Sequence, residues 1–385
     1  VERLCLCDAL LLDPEADAPT PGALLVAGGR IEARLAPHER PPVDARPVSL
    51  PGCALAPGLI DLHYHGSLVF HDPAGFEASL RASSAALVRH GTTAFLATTV
   101  AWARDALAAG VDALARLVAQ ADFPGAAPIG IHLEGPWLAE AAAGAQPRAA
   151  IRGYDPAEGR DVLARGRGAI RMVTLAPEAP GADALLHALA REDVLAALGH
   201  SRADAAQVDH AVARGARHVT HLFNAMGPLH HREPGLAGSA LADERLTCDL
   251  ICDGAHVHPQ IVRVAARALG ERLLLITDRV EPAPGAPDSF GSGELRDDGV
   301  ALRLPDGRLA GSRVTLDAAL ANAQRFAGLS LLDAVAACTL RPARRLGIER
   351  ERGTLRPGAR ADFAVLGADG SLHSTWIGGE PVFRT

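Results

Sequence analysis

Leu59-Ile60-Asp61-Leu62-His63-Tyr64-His65-Gly66 is a short apolar run that ends in two histidines. Read as an extended strand, it sends the side chains of His63 and His65, two residues apart, to the same face. Two imidazoles on one face can bind one metal ion. Apolar runs of this kind recur along the chain, at 59–62, 94–97, 129–133, 172–175, 194–198, 219–223, 250–251 and 273–276. Most are followed by stretches whose apolar residues fall three or four apart, such as 76–89, 103–121, 203–214 and 259–269. Eight strand-then-helix units predict an α/β protein, a closed parallel (β/α)8 TIM-like barrel with helices outside. An open doubly wound sheet is the competing architecture. Against it, no strand here leads into a G-x-G-x-x-G turn.

Outside this rhythm the chain changes character. Leu24-Leu25-Val26 runs into the turn Gly28-Gly29, and Ile31, Val48 and Leu55 offer more strand material between Pro- and Gly-rich turns. The other end is similar, with short strand candidates at 362–366, 376–377 and 382–383. Segments 1–56 and 352–385 are expected to pair into one small sheet domain flanking a barrel domain at 57–351. Two stretches on the barrel side break the pattern, 139–150 with its small residues and 281–293 with its Pro and Gly. Loops at that end of a barrel are candidate substrate lids.

Composition removes several function classes. The 385 residues are 48% hydrophobic and 22% charged, the profile of an ordinary globular chain. Aromatic residues make up only 4%, which disfavours base-stacking platforms, and a net charge of −7 argues against a nucleic-acid partner. No apolar run is long enough to span a bilayer, and the first residues do not continue into a signal-peptide pattern. There is no lysine, all 38 basic residues being arginine. Schiff-base chemistry, the P-loop lysine and a carboxylated-lysine metal bridge are all excluded. The six cysteines form no C-x-x-C pair and read as reduced thiols of a cytoplasmic protein.

The polar residues cluster where strands end. The third run ends in His132-Leu133-Glu134-Gly135-Pro136, the fifth in Gly199-His200-Ser201 and the eighth in Ile276-Thr277-Asp278. The sixth contains His218-Val219-Thr220-His221-Leu222-Phe223-Asn224. In a barrel these ends meet at one mouth. The expected set is His63, His65, Glu134, His200, His221 and Asp278, able to hold one or two divalent cations. Mixed imidazole and carboxylate ligands suit Zn²⁺, with Fe²⁺, Mn²⁺ or Co²⁺ as alternatives. Glu134 could bridge two ions, and Asp278 would take a proton from a water that the metal acidifies. His71, His90, His230, His231, His258 and His373 are expected to be non-ligands, and His218 to face away from the mouth.

Pro57–Gly66 resembles the first-strand signature of the amidohydrolase superfamily. Gly91-Thr92-Thr93, the HLEGP run at 132–136, Gly199-His200-Ser201, the THLFNAM run at 220–226 and Arg232-Glu233-Pro234-Gly235 resemble its N-acetylglucosamine-6-phosphate deacetylase branch. So do Asp253-Gly254-Ala255-His256, Thr277-Asp278, Leu309-Ala310-Gly311-Ser312 and the run 352–358. The HLEGP and THLFNAM runs are the specific ones. The resemblance implies a (β/α)8 barrel with a small β-sandwich built from both termini. It implies metal-dependent hydrolysis of the acetamide of an N-acetyl-hexosamine 6-phosphate, above all N-acetylglucosamine 6-phosphate. The products would be acetate and the amino sugar phosphate. It assigns Glu134, His200 and His221 as core ligands, His63 and His65 as completing a second metal site, and Asp278 as the acid/base. Asn224 and the backbone of Ala225 resemble a phosphate grip, His256 a substrate contact, and Arg232 an arginine that reaches the neighbouring active site of a homodimer.

Two departures stand out. Gln146 occupies a place where the family carries a histidine; an amide N–H can still donate to the scissile carbonyl but cannot become cationic, so oxyanion stabilisation would rest more on the metal. Arg279 follows the acid/base where the family has a small residue; it either contacts an acidic substrate group or points into the subunit. The alternatives are another N-acyl substrate, the galacto epimer or a non-phosphorylated compound, and a non-catalytic barrel that serves as a binding protein.

Overall fold

The computed structural model describes residues 2–70, 72–120, 122–281, 289–290, 293–367 and 369–385. His71 and most of the expected lid at 281–293 lie outside the described residues. Eight strands form the barrel: Leu59–Gly66, Thr92–Thr98, Ala127–Glu134, Ile170–Leu175, Leu195–Leu198, His218–Val219, Thr247–Ile251 and Leu273–Ile276. Each is parallel to the next. The ring closes between the eighth strand and the first. There Asp278 N donates to His63 O at 2.8 Å, and Arg279 continues in parallel register with Tyr64. Parallel strands covered by helices on one side and filled by side chains on the other are buried on both faces. That is why Leu59–Gly66, Thr92–Thr98 and Leu273–Ile276 are buried along their whole lengths.

One helix follows each strand, from Phe76–Leu87 and Arg104–Val118 through Pro156–Gly166, Ala182–Arg191, Ala205–Ala213, Gly235–Ala242 and Pro259–Leu269 to Leu316–Ala327. Local chemistry starts several of them. Asp155 caps the Pro156 helix by accepting from Ala157 N, and Asp204 with Gln207 forms a reciprocal capping box. Each such cap contributes about 1 kcal/mol.

The sixth strand is shorter than the apolar run 219–223 suggests. It ends at Val219, and His221, Phe223 and Ala225 then adopt positive φ. The apolar residues Leu222 and Met226 are buried there without being strand. A strand that sequence reading did not anticipate, Leu309–Ser312, pairs with Arg279 and brings 308–311 to the barrel mouth.

The terminal segments form one eight-stranded sheet with its own apolar core around Leu6, Leu24, Ile31, Leu55, Phe363 and Trp376. Ala54–Pro57 pairs antiparallel with Phe363–Leu366 and then continues across Gly58 into the first barrel strand. Gly58 is required here by space, since a Cβ would sit 2.1 Å from Thr93 Oγ1. The strand that carries His63 and His65 is thereby anchored at its start by both ends of the chain.

Candidate active site

The strand ends converge as expected on one buried cluster. Glu134 Oε1 lies 2.9 Å from His221 Nε2, 3.1 Å from His200 Nε2 and 3.4 Å from His63 Nε2. Its other oxygen, Oε2, lies 3.3 Å from His65 Nε2. Asp278 Oδ1 is 3.3 Å from His63 Nε2 and 3.1 Å from His65 Nε2. Two overlapping trios place their ligand atoms within 4.8 Å of one another, His63 with His65 and Glu134, and Glu134 with His200 and His221.

Backbone geometry aims these groups. His200, His221 and Asp278 each leave a strand end at φ of 46°, 33° and 48°. Such conformations cost about 1–3 kcal/mol each in a non-glycine residue, and the surrounding structure holds them. His221 N donates to the Asp249 carboxylate, while Ala139 N donates to His200 O at 3.0 Å. Asp61 ties the first strand to the eighth, accepting from Thr277 Oγ1 at 2.6 Å and from His63 N at 3.2 Å. Burial pushes its carboxyl up to about 6.

The chemistry of the donor set fits a divalent cation. His65 Nδ1 lies 3.1 Å from Thr98 O and His200 Nδ1 lies 2.9 Å from Ala142 O. A carbonyl only accepts, so each Nδ1 carries the proton and each Nε2 presents a lone pair to the cluster. Lone pairs and carboxylate oxygens then face one another in a water-poor site, an arrangement that calls for positive charge. Without the ion, a proton on His65 Nε2 supplies that positive charge. Burial opposes a charged His65, yet Asp278 and Glu134 outweigh it and lift its pKa to about 10. Burial pushes Glu134 upward, but His63, His200 and His221 hold it well below the usual carboxylate range. The same balance, burial against His63 and His65, leaves Asp278 lowered.

A cavity of about 310 Å³ opens on the cluster. His65, Glu134, His200, His221, Asp278, Gln146, Asn224, Ala225 and His256 all line it. His63 stands just behind, fully buried. His256 is held by Asp253, Nδ1 to Oδ2 2.6 Å, and that contact outweighs burial to keep Asp253 low. Gly144, Ala145 and Gln146 of the loop at 139–150 line the cavity. Arg232 does not line the cavity; it is exposed, with its guanidinium 2.9 Å from His231 Nε2.

The two departures resolve structurally. Gln146 lines the cavity and is bonded to the ligand set. Its Nε2 donates to Glu134 Oε2 at 2.6 Å and its Oε1 accepts from Ala101 N at 2.8 Å. Buried donors and acceptors are drawn to fixed partners, and the nearest carboxylate takes the amide. Arg279 points into the subunit, pairing with Glu281 at 2.7 Å and with the Arg313 carbonyl.

Sequence reading missed four participants. Asp249, buried, holds His221 N and also lies 3.0 Å from His218, which is thereby kept inside the barrel. His132 packs edge-on beneath His63, ring centroids 4.7 Å apart, and burial drives its pKa well below the usual value. Asp253 orients His256, and its place three residues before that histidine was the available signal. Arg308 reaches the rim and donates to Gly144 O.

Residues 54–382 match the amidohydrolase family. The chain is 36% identical to N-acetylglucosamine-6-phosphate deacetylase of Bos taurus, over 94% of this chain and 93% of that one. It is 35% identical to N-acetylgalactosamine-6-phosphate deacetylase of Escherichia coli O157:H7, over 85% and 87%. Among solved structures, a mutant N-acetyl-D-glucosamine-6-phosphate deacetylase from Mycobacterium smegmatis, in complex with N-acetyl-D-glucosamine-6-phosphate, superposes with a TM-score of 0.89. Its identity is 35%, and both chains are covered completely.

Proposed function

Because the chain belongs to the amidohydrolase family, in its N-acetylglucosamine-6-phosphate deacetylase branch, we propose that it hydrolyses the N-acetyl group of N-acetylglucosamine 6-phosphate. The observation that carries the reading is the convergence of four imidazole Nε2 atoms on one buried carboxylate, with Asp278 beside them. Glu134, His200 and His221 would hold a divalent cation, zinc first among the candidates, with His63 and His65 available for a second. Such an ion supplies Lewis acidity, acidifying a water and polarising the amide carbonyl.

The chain's own groups do the rest. Asp278, lowered by the neighbouring histidines, stands ready as a carboxylate base at neutral pH. It accepts a proton from the water whose oxygen attacks the acetamide carbon, and returns it to the nitrogen as the C–N bond breaks. Acetate and the amino sugar 6-phosphate leave. Asn224, Ala225 and His256 line the cavity, and Asn224, the Ala225 backbone and His256 are assigned to the sugar phosphate. The reading includes a homodimer in which Arg232, a fork suited to phosphate, reaches the neighbouring site. It also includes a reducing cytoplasmic setting, supported by six free thiols. Among the described residues no helix is long and apolar enough to cross a membrane.

A second reading, the galacto epimer, draws on the N-acetylgalactosamine-6-phosphate deacetylase relative at nearly the same identity. One experiment addresses both. The protein is stripped with a chelator, reloaded with Zn²⁺, and offered both epimers with and without the 6-phosphate while free amine is measured. Turnover of the gluco phosphate that vanishes on stripping and returns on reloading is expected. Full activity after complete metal removal, or no release from any phosphorylated substrate, would refute the proposal.

A further inference from the structure

Gln146 stands against the carboxylate on which the histidines converge, and its amide is oriented from the far side. The Ala101 backbone N–H donates to its Oε1 at 2.8 Å, so Nε2 is the end that meets Glu134 Oε2, at 2.6 Å. The residue is only 4% exposed. Turned over, the amide would set oxygen against oxygen on one side and N–H against N–H on the other, both buried. The two oxygens of Glu134 therefore keep different company. Oε1 faces His200, His221 and His63, at 3.1, 2.9 and 3.4 Å, whereas Oε2 faces His65 at 3.3 Å and the Gln146 amide.

We infer that Gln146 is a positioning residue that reserves Glu134 Oε2 for a protein donor and leaves Oε1 to a cation. The chain then holds one divalent ion tightly, at Glu134, His200 and His221, and a second, at His63 and His65, only weakly. The reason is electrostatic. An amide N–H is a donor and no ligand, and its bond to a carboxylate is charge-assisted. A cation approaching Oε2 must share that oxygen with the partial positive charge of the amide hydrogen, or displace it. Displacement strands the amide in a buried space whose other end is already tied to Ala101. The same bond stops the Glu134 carboxylate from rotating, which favours the trio on Oε1.

The inference rests on the metal reading proposed above, and its test separates the two. The metal-free full chain is titrated with Zn²⁺ by calorimetry, and metal content after dialysis is measured by mass spectrometry. The wild-type chain should show one ion retained through dialysis and a second step weaker by about 10–100-fold, the scale on which ligand-orienting partners act on metal affinity. Gln146→Leu and Gln146→Met, which remove the donor, should narrow that gap by about tenfold or more. Thermal unfolding of the metal-free variants shows whether each is folded, and the wild-type titration decides even if neither is. Two ions of equal affinity in the wild-type chain would overturn the inference and leave the metal reading standing, as would folded variants with an unchanged gap. No tight ion at all would overturn both.

Discussion

Replacing Asp278 by Asn isolates the proton-transfer step. The amide keeps the shape of the side chain but cannot accept the proton of an attacking water. General acid–base groups contribute about 10²–10⁴ in rate, or roughly 3–5.5 kcal/mol of barrier. The structure points to the upper part of that range, because no neighbouring carboxylate can substitute. Glu134 is already engaged by four imidazoles and the Gln146 amide, and Asp61 is fully buried under Thr277. The expected loss in kcat is therefore about 10³–10⁴. Metal content should not change, since Asp278 belongs to neither ligand trio. Stopped assays for free amine, with metal content measured on the same sample, give both quantities. A variant that retains its metal and keeps kcat within about tenfold of the parent would refute the assignment of Asp278 as the proton carrier.

Three further outcomes are expected. Asp253→Asn loosens His256, so KM for the phosphorylated substrate should rise by about tenfold, the scale of one charge-assisted hydrogen bond, with kcat changed little; steady-state kinetics would show otherwise if both fell together. Arg232→Ala should lose the preference for a 6-phosphate. Mixed oligomers of Arg232→Ala and Asp278→Asn chains should regain activity, and no gain on mixing would remove Arg232 from the neighbouring site. Gly58→Ala forces a methyl toward Thr93, where ideal geometry leaves 2.1 Å, and should destabilise the fold by about 1–3 kcal/mol in chemical denaturation. An unchanged midpoint would mean that the junction yields more readily than its packing implies.

Much of the barrel was legible because parallel strands buried on both faces write themselves as unbroken apolar runs. Leu273–Ile276 is of that kind. The sixth run misled at its end, since Leu222 is buried by packing from a turn and apolar character alone does not distinguish the two. His63 and His65 were legible because a period of two is a local property. The gathering of Glu134, His200, His221 and Asp278 followed once their strands were placed in a ring. What stayed hidden depends on contacts between distant segments. Which way the Gln146 amide points is fixed by Ala101, forty-five residues away. Asp249 gave no local sign that it would hold the His221 backbone twenty-eight residues before it. Arg279 offered two directions, and only the position of Glu281 and Arg313 chose between them.

The strand that leads into His63 and His65 is flanked at its root by Phe363–Leu366, a segment made some three hundred residues later on the ribosome. The strand that carries the two histidines lacks this neighbour until synthesis has passed residue 366. Fragments that end between Asp278 and Phe363 would thus carry every proposed ligand while lacking the brace beneath two of them. Fidelity of translation through the late segment becomes a condition for a properly set mouth at the other side of the fold.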